Sequence, residues 1–285
     1  VPRALLSRAN SRLYAVEMAA NELIGPPLGG LLVAASIPLA LAGSVVGHAL
    51  AALGLTLVSG RFKPTPKAEP TSMLADIREG MVFLWRTPVL RTMALMVAGF
   101  HFADAAVFAV IVLFAVSPGP MGLDEFGFGV IMASFAAGGL LGSLVAEQVE
   151  RRLGRRRVIL LVTVAWVGIM ALPLLTAEPL PIALGLGLLG VLIMWWNVIT
   201  VSLRQRITPD YLLGRLNAAY RFFGWGAGPL GAIAGGVIAQ LFGVPAVFAF
   251  AVVVCVVLLW VRRSLTDEAI DAAEAAAERT AETPA

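Results

Sequence analysis

The chain has 285 residues, 59% of them hydrophobic and only 14% charged, against about 45–50% and about 25% in soluble domains. Apolar runs of bilayer-spanning length recur from end to end, which excludes a soluble enzyme or binding domain. The net charge of +3 says little about nucleic acid, because the basic residues fall in short clusters between those runs; the lipid bilayer, and no nucleic acid, is the expected partner.

Residues 1–12 are polar and basic (Arg3, Arg8, Arg12). The first predicted span covers about 12–34 and contains Asn21, Glu22, Gly25, Pro26, Pro27, Gly29 and Gly30. Pro26 and Pro27 lack N–H groups, so the carbonyls of Glu22 and Leu23 lose their helical partners and the helix bends. Gly25 and Gly29, four apart, open one face to a close neighbour. A turn at Ser36-Ile37-Pro38 leads into a second span at about 38–59. Residues 60–89 form the one long hydrophilic connection. Its second part places Met73, Ile77, Met81 and Leu84 at helical spacing opposite Asp76 and Glu79, the pattern of an amphipathic helix on the membrane surface.

The third span is predicted at about 90–114, the fourth at 127–148, the fifth at 157–175 and the sixth at 181–203. Arg204, Arg206 and Arg215 flank a polar connection to the seventh span at about 215–241, and the eighth runs over 245–262. The Ala- and Glu-rich tail from Asp267 reads as a frayed helix or a disordered end. Essentially all Lys and Arg fall in 1–12, 60–89, 149–157, 204–215 and beyond 262, while the alternate loops carry none. Eight spans therefore give one consistent topology, with both ends of the chain cytoplasmic.

Residues 1–41 match residues 208–248 at a constant offset of 207: Pro2 with Pro209, Leu5 with Leu212, Arg8 with Arg215, Asn10 with Asn217, Gly29 with Gly236 and Pro38 with Pro245. Both copies enter from the cytoplasm, so the repeat is parallel. The second copy follows four helices of its own half and the first follows none. The expectation is that four helices belong in front of Val1, in a protein of two six-helix halves.

Two such halves joined by a long cytoplasmic loop resemble the major facilitator superfamily, with eight of twelve transmembrane helices present in an all-α polytopic bundle. Gly25-Pro26-Pro27-Leu28-Gly29-Gly30 resembles the fifth-helix motif of drug:proton antiporters, with Asn21 where the motif has a leading glycine. Gly142 to Arg157, including Gly154, Arg155 and Arg156, resembles the loop between the second and third helix of each half. The acid that this pattern has four residues after the glycine is Ala146 here, with Glu147 and Glu150 off register. More narrowly, the chain is similar to bacterial exporters of the enterobactin-exporter and macrolide-efflux type. The resemblance implies residues 1–60 as the last two helices of the first half, 61–89 as the interdomain loop, 90–263 as the second half and 264–285 as a cytoplasmic tail. It also implies a bacterial inner-membrane protein, monomeric at full length, that exchanges a small-molecule substrate for protons by alternating access. An importer of the same fold, or a membrane protein that does not transport, is the alternative.

Ionisable groups within a bilayer are costly and become functional candidates by default. Asp104 has His101 one turn before it on the same face, as an ion pair that pins packing or as a proton relay. Glu22 lies mid-helix and Glu17 about 140° away around the same helix. Both are proton-coupling candidates, with hydrogen bonding to a neighbouring helix as the plainer reading. Trp195, Trp196 and Asn197, with Asn21, are candidates for the substrate cavity, although tryptophans also favour membrane interfaces. His48 reads as a packing residue and Arg221 as one that reaches the interface. Glycines 138, 139, 142 and 224, 228, 231, 235 fit small-residue helix seams. The lone Cys255 allows no internal disulfide. The sequence shows no metal-ligand spacing, no nucleophile motif and no cofactor site, which argues against a membrane-embedded enzyme.

Overall fold

A computed structural model describes residues 5–25, 28, 32, 36–57 and 73–282. Helix α1 (Leu6–Met18) passes into a wider π turn over Ala19–Ile24, and α2 follows at Ile37–Thr56. The others are α3 (Met73–Arg86), α4 (Pro88–Phe108), the short α5 (Ile111–Ala115), α6 (Glu125–Leu153), α7 (Arg155–Leu175), α8 (Pro179–Ile207), α9 (Asp210–Phe242), α10 (Val244–Val261) and α11 (Asp267–Glu282). Among the described residues seven helices are long and apolar enough to cross a membrane. The chain is an all-α, multi-pass membrane protein. Large apolar side chains such as Leu141, Leu175, Leu184, Phe222 and Trp260 are exposed on its outer surface, where lipid is the solvent.

Local chemistry sets the helix ends. Ser36 Oγ accepts from the Leu39 N–H and begins α2, and Asp124 Oδ1 accepts from the Gly127 N–H at 2.8 Å and begins α6. Prolines stand in the first turns of α2, α4, α8 and α10, where a missing N–H costs no helical bond. Gly154 and Gly243 turn the chain between α6 and α7 and between α9 and α10 at φ of 77° and 85°, which a side chain would oppose.

The π turn explains part of the opening motif. A Cβ on Gly25 would come within 2.8 Å of the Ala20 carbonyl five residues back, so a glycine suits the widened turn. Pro26, Pro27, Gly29 and Gly30 lie outside the described residues.

The core is built on two glycine seams. Gly138 and Gly142 of α6 meet Gly187 and Val191 of α8, and Gly231 and Gly235 of α9 meet the backbone of Phe102 and Ala106 in α4. Between them lie Met93, Met96, Phe100, Ile159, Leu189, Leu192, Ile199 and Leu203, all buried. α10 covers α4 and α7, and α1 lies against α6 and α8. α2 has no buried residue.

Two expected bounds change. The third span is not continuous to 114: α4 ends at Phe108, and α5 begins only after Ala109 and Val110. The polar connection between the sixth and seventh spans shrinks to Thr208 and Pro209, because α8 runs to Ile207 and α9 starts at Asp210. Pro209 and an acid in the first turn favour that early start. α3 turns its acids toward the protein. Arg215 of α9 binds Glu79 at 2.5 Å and Asp76 at 2.8 Å, and Ile77 is left exposed while Leu84 is fully buried. The tail, read as a frayed helix or a disordered end, forms α11, seated by Ile270 and Ala277 and tied to Arg155 through Glu274 at 2.7 Å.

Candidate functional site

A cavity of about 570 Å³ lies where α1 meets the helices of the larger bundle. α1 and its π turn contribute Tyr14, Glu17 and Asn21, and α4 contributes Val97 and His101. α8 adds Met194, Asn197, Thr200, Val201 and Arg204, and α9 adds Asn217, Tyr220, Arg221, Gly224 and Trp225. Four candidates separated by up to 180 residues in sequence (Glu17, Asn21, His101 and Asn197) thus share one wall.

His101 Nδ1 lies 3.0 Å from the Gly224 carbonyl, which only accepts, so Nδ1 carries the hydrogen and Nε2 is left to gain or lose a proton. Gly224 lets this contact form, since a Cβ there would press on Val97 at 3.3 Å. Asp104 stands one turn deeper. Its Oδ1 accepts from Trp166 Nε1 at 2.9 Å, and it borders a small apolar space with Val107, Ile111, Met170 and Leu189. His101 and Asp104 therefore hold different partners rather than each other. Phe100 stacks on Trp166 at 4.0 Å and meets Trp196 edge-on at 5.3 Å. Trp196 belongs to the core beneath the cavity, and Trp195 is half-buried against that core; neither lines the cavity. The side chain of Glu22 lies outside the described residues. His48 is exposed on α2, where it bonds to the Ser44 carbonyl of its own helix.

Toward the basic end, one turn beyond Tyr14 and Thr200, polar contacts join α1 to the bundle. Asn10 Nδ2 donates to Ser202 Oγ at 3.0 Å and to Gln205 Oε1 at 2.9 Å. Ser11 Oγ donates to the Ser143 carbonyl. Arg8 pairs with Glu147 at 3.5 Å, and Glu147 also holds Arg151. The off-register acid Glu147 is thus the one that reaches across to α1, while Ala146 is buried. Gly142 serves the α6–α8 seam. Arg155 binds Glu150 at 3.2 Å as well as Glu274, and Arg156 lies 3.7 Å from Asp267.

The chain matches the family described as transmembrane secretion effectors, within the major facilitator superfamily, over residues 1–284. It belongs to that family. The chain is 28% identical over 251 residues to the multidrug efflux pump Tap of Mycolicibacterium fortuitum, covering 85% of this chain and 59% of that protein. It is 26% identical over 234 residues to the Tap pump of Mycobacterium tuberculosis H37Rv, covering 79% of this chain and 54% of the pump. The chain therefore spans between half and three-fifths of the length of these curated relatives.

Sequence reasoning overlooked Tyr14, Thr200, Arg204, Asn217 and Tyr220. A usable signal was present: Asn197, Thr200 and Arg204 follow an i, i+3, i+7 spacing, one polar stripe on an apolar helix. Reading 204–215 as a connection hid it.

Proposed function

We propose that the protein exports a small molecule across a bacterial inner membrane by alternating access in exchange for protons. The observation that carries this reading is the polar cavity between α1 and α4, α8 and α9, with polar contacts on its basic side that join α1 to the bundle. A carrier needs such a site within the membrane and a closure that can break. The names of its relatives support export over import. In this reading residues 1–60 complete a first half, 61–89 link the halves, 90–263 form the second half and 264–285 the tail. The Lys- and Arg-bearing loops and both ends of the chain face the cytoplasm, and the carrier works as a monomer.

Asp104 is the leading coupling residue, because its carboxylate has one donor and apolar neighbours, with His101 between it and the cavity. Glu17 on the cavity wall and Glu22 are the other acids on this route. Protons entering from outside load these groups, and cargo leaves as they unload inward. Proteoliposomes with an imposed proton gradient test the assignment. Asp104→Asn keeps an oxygen for Trp166 and should remove at least nine-tenths of gradient-driven transport while leaving cargo binding intact, and Glu22→Gln should lower it further. Full gradient-driven transport in both variants would remove these acids from the coupling route, and uptake instead of extrusion in intact cells would reverse the direction.

A further inference from the structure

Neither a proton route nor helix packing accounts for Arg204. It is only 7% exposed, yet its Nε and Nη1 have no hydrogen-bond partner among the described residues. Tyr220 covers one face of the guanidinium at 3.7 Å, which fixes its plane without satisfying its N–H groups. None of the ion pairs among the described residues reaches it. A buried cation without a counter-charge is costly to keep, and this one lines the cavity. Arg221, its guanidinium 4.6 Å from the Trp225 ring, lines the same space. Among the described residues one carboxylate on the wall, that of Glu17, opposes these two guanidiniums.

We propose that the cavity receives an organic anion: a carboxylate held by Arg204, on an apolar or aromatic body set against Tyr14, Tyr220 and Trp225. Arginine presents N–H groups in a planar fork that matches a carboxylate, and its charge-assisted bonds are about twice as strong as neutral ones. The aromatic wall supplies the apolar part of such a site. The inference rests on the cavity being the cargo site.

Binding to the purified chain in dodecyl maltoside tests it, by titration calorimetry with 2-naphthoate, its neutral isostere 2-naphthamide, and acetate. 2-Naphthoate should bind about tenfold tighter than 2-naphthamide, the gain of one charge-assisted contact. Acetate should bind far more weakly than 2-naphthoate. Arg204→Gln should bring the naphthoate-to-naphthamide ratio to about one, and Arg221→Gln should reduce it by a smaller factor. The ratio in the unaltered protein needs no variant, so a misfolded Arg204→Gln leaves the test intact. Equal binding of the two naphthyl probes overturns the anion assignment and leaves the cavity as a cargo site. No binding of either overturns both. Acetate binding as tightly as 2-naphthoate overturns the organic-anion cargo.

Discussion

Gly235 and Gly236 are adjacent in α9 and should respond in opposite ways to one methyl group. A Cβ on Gly235 would overlap the Ala106 backbone of α4, whereas a Cβ on Gly236 meets nothing within 4 Å. In a membrane, packing of this kind replaces the hydrophobic drive between helices. Gly235→Ala should therefore destabilise the fold by about 1–3 kcal/mol, the cost of overpacking. Gly236→Ala should be neutral or stabilising by up to about 1 kcal/mol, through helix propensity. Unfolding midpoints in mixed detergent micelles separate the two, and equal shifts would contradict the seam. The sequence pattern of small residues located this seam but not its membership. Gly231 and Gly235 lie within about 20° of Gly224 around the helix while Gly228 stands about 40° away, and Gly228 is open. Arg204 was harder to read. Its position beside other arginines looked like a helix flank, and only the extension of α8 to Ile207 makes it a buried wall residue.

At the scale of elements, the apolar spans were legible because each is a long hydrophobic run with polar ends, while α11 was not. Its sequence is rich in Ala and Glu, and what orders it is distant: Arg155 and Arg206 both approach Glu274, at 2.7 and 3.9 Å. Such long-range pairs leave no local periodicity. The acid-inward turn of α3 has the same origin, since Arg215 lies on another helix. The α11 contacts are half-buried rather than fully exposed, so their loss exceeds that of a surface pair, at about 1–2 kcal/mol. Glu274→Gln should then speed amide hydrogen exchange across Asp267–Glu282 by about tenfold without changing exchange in α4 or α9. Unchanged exchange in α11 would show that Ile270 and Ala277 alone seat it.

For the whole molecule, the decisive contact is the closure between α1 and the bundle. The repeat in the sequence pairs Arg8 with Arg215 and Asn10 with Asn217, yet the copies do different work. Arg8 and Asn10 bind α6 and α8, whereas Arg215 anchors α3 and Asn217 lines the cavity. Pseudo-symmetry was visible in one dimension; the division of labour depends on which helices each copy meets. If alternating access operates, the bonds from Asn10 to Ser202 and Gln205 and the Arg8–Glu147 pair must break in every cycle. They are few and polar, with a net worth of about 1 kcal/mol each, so they can close a gate without locking it. A covalent tether at the same place should stop the cycle. In a Cys255→Ser background, which removes the native thiol, an Asn10→Cys, Ser202→Cys pair can be bridged with a short bifunctional methanethiosulfonate. Bridging should abolish transport, reduction should restore it, and each single variant should transport in the presence of the reagent. A bridged protein that still transports would mean that α1 and α8 stay together through the cycle, and the moving boundary would have to be sought elsewhere in the bundle.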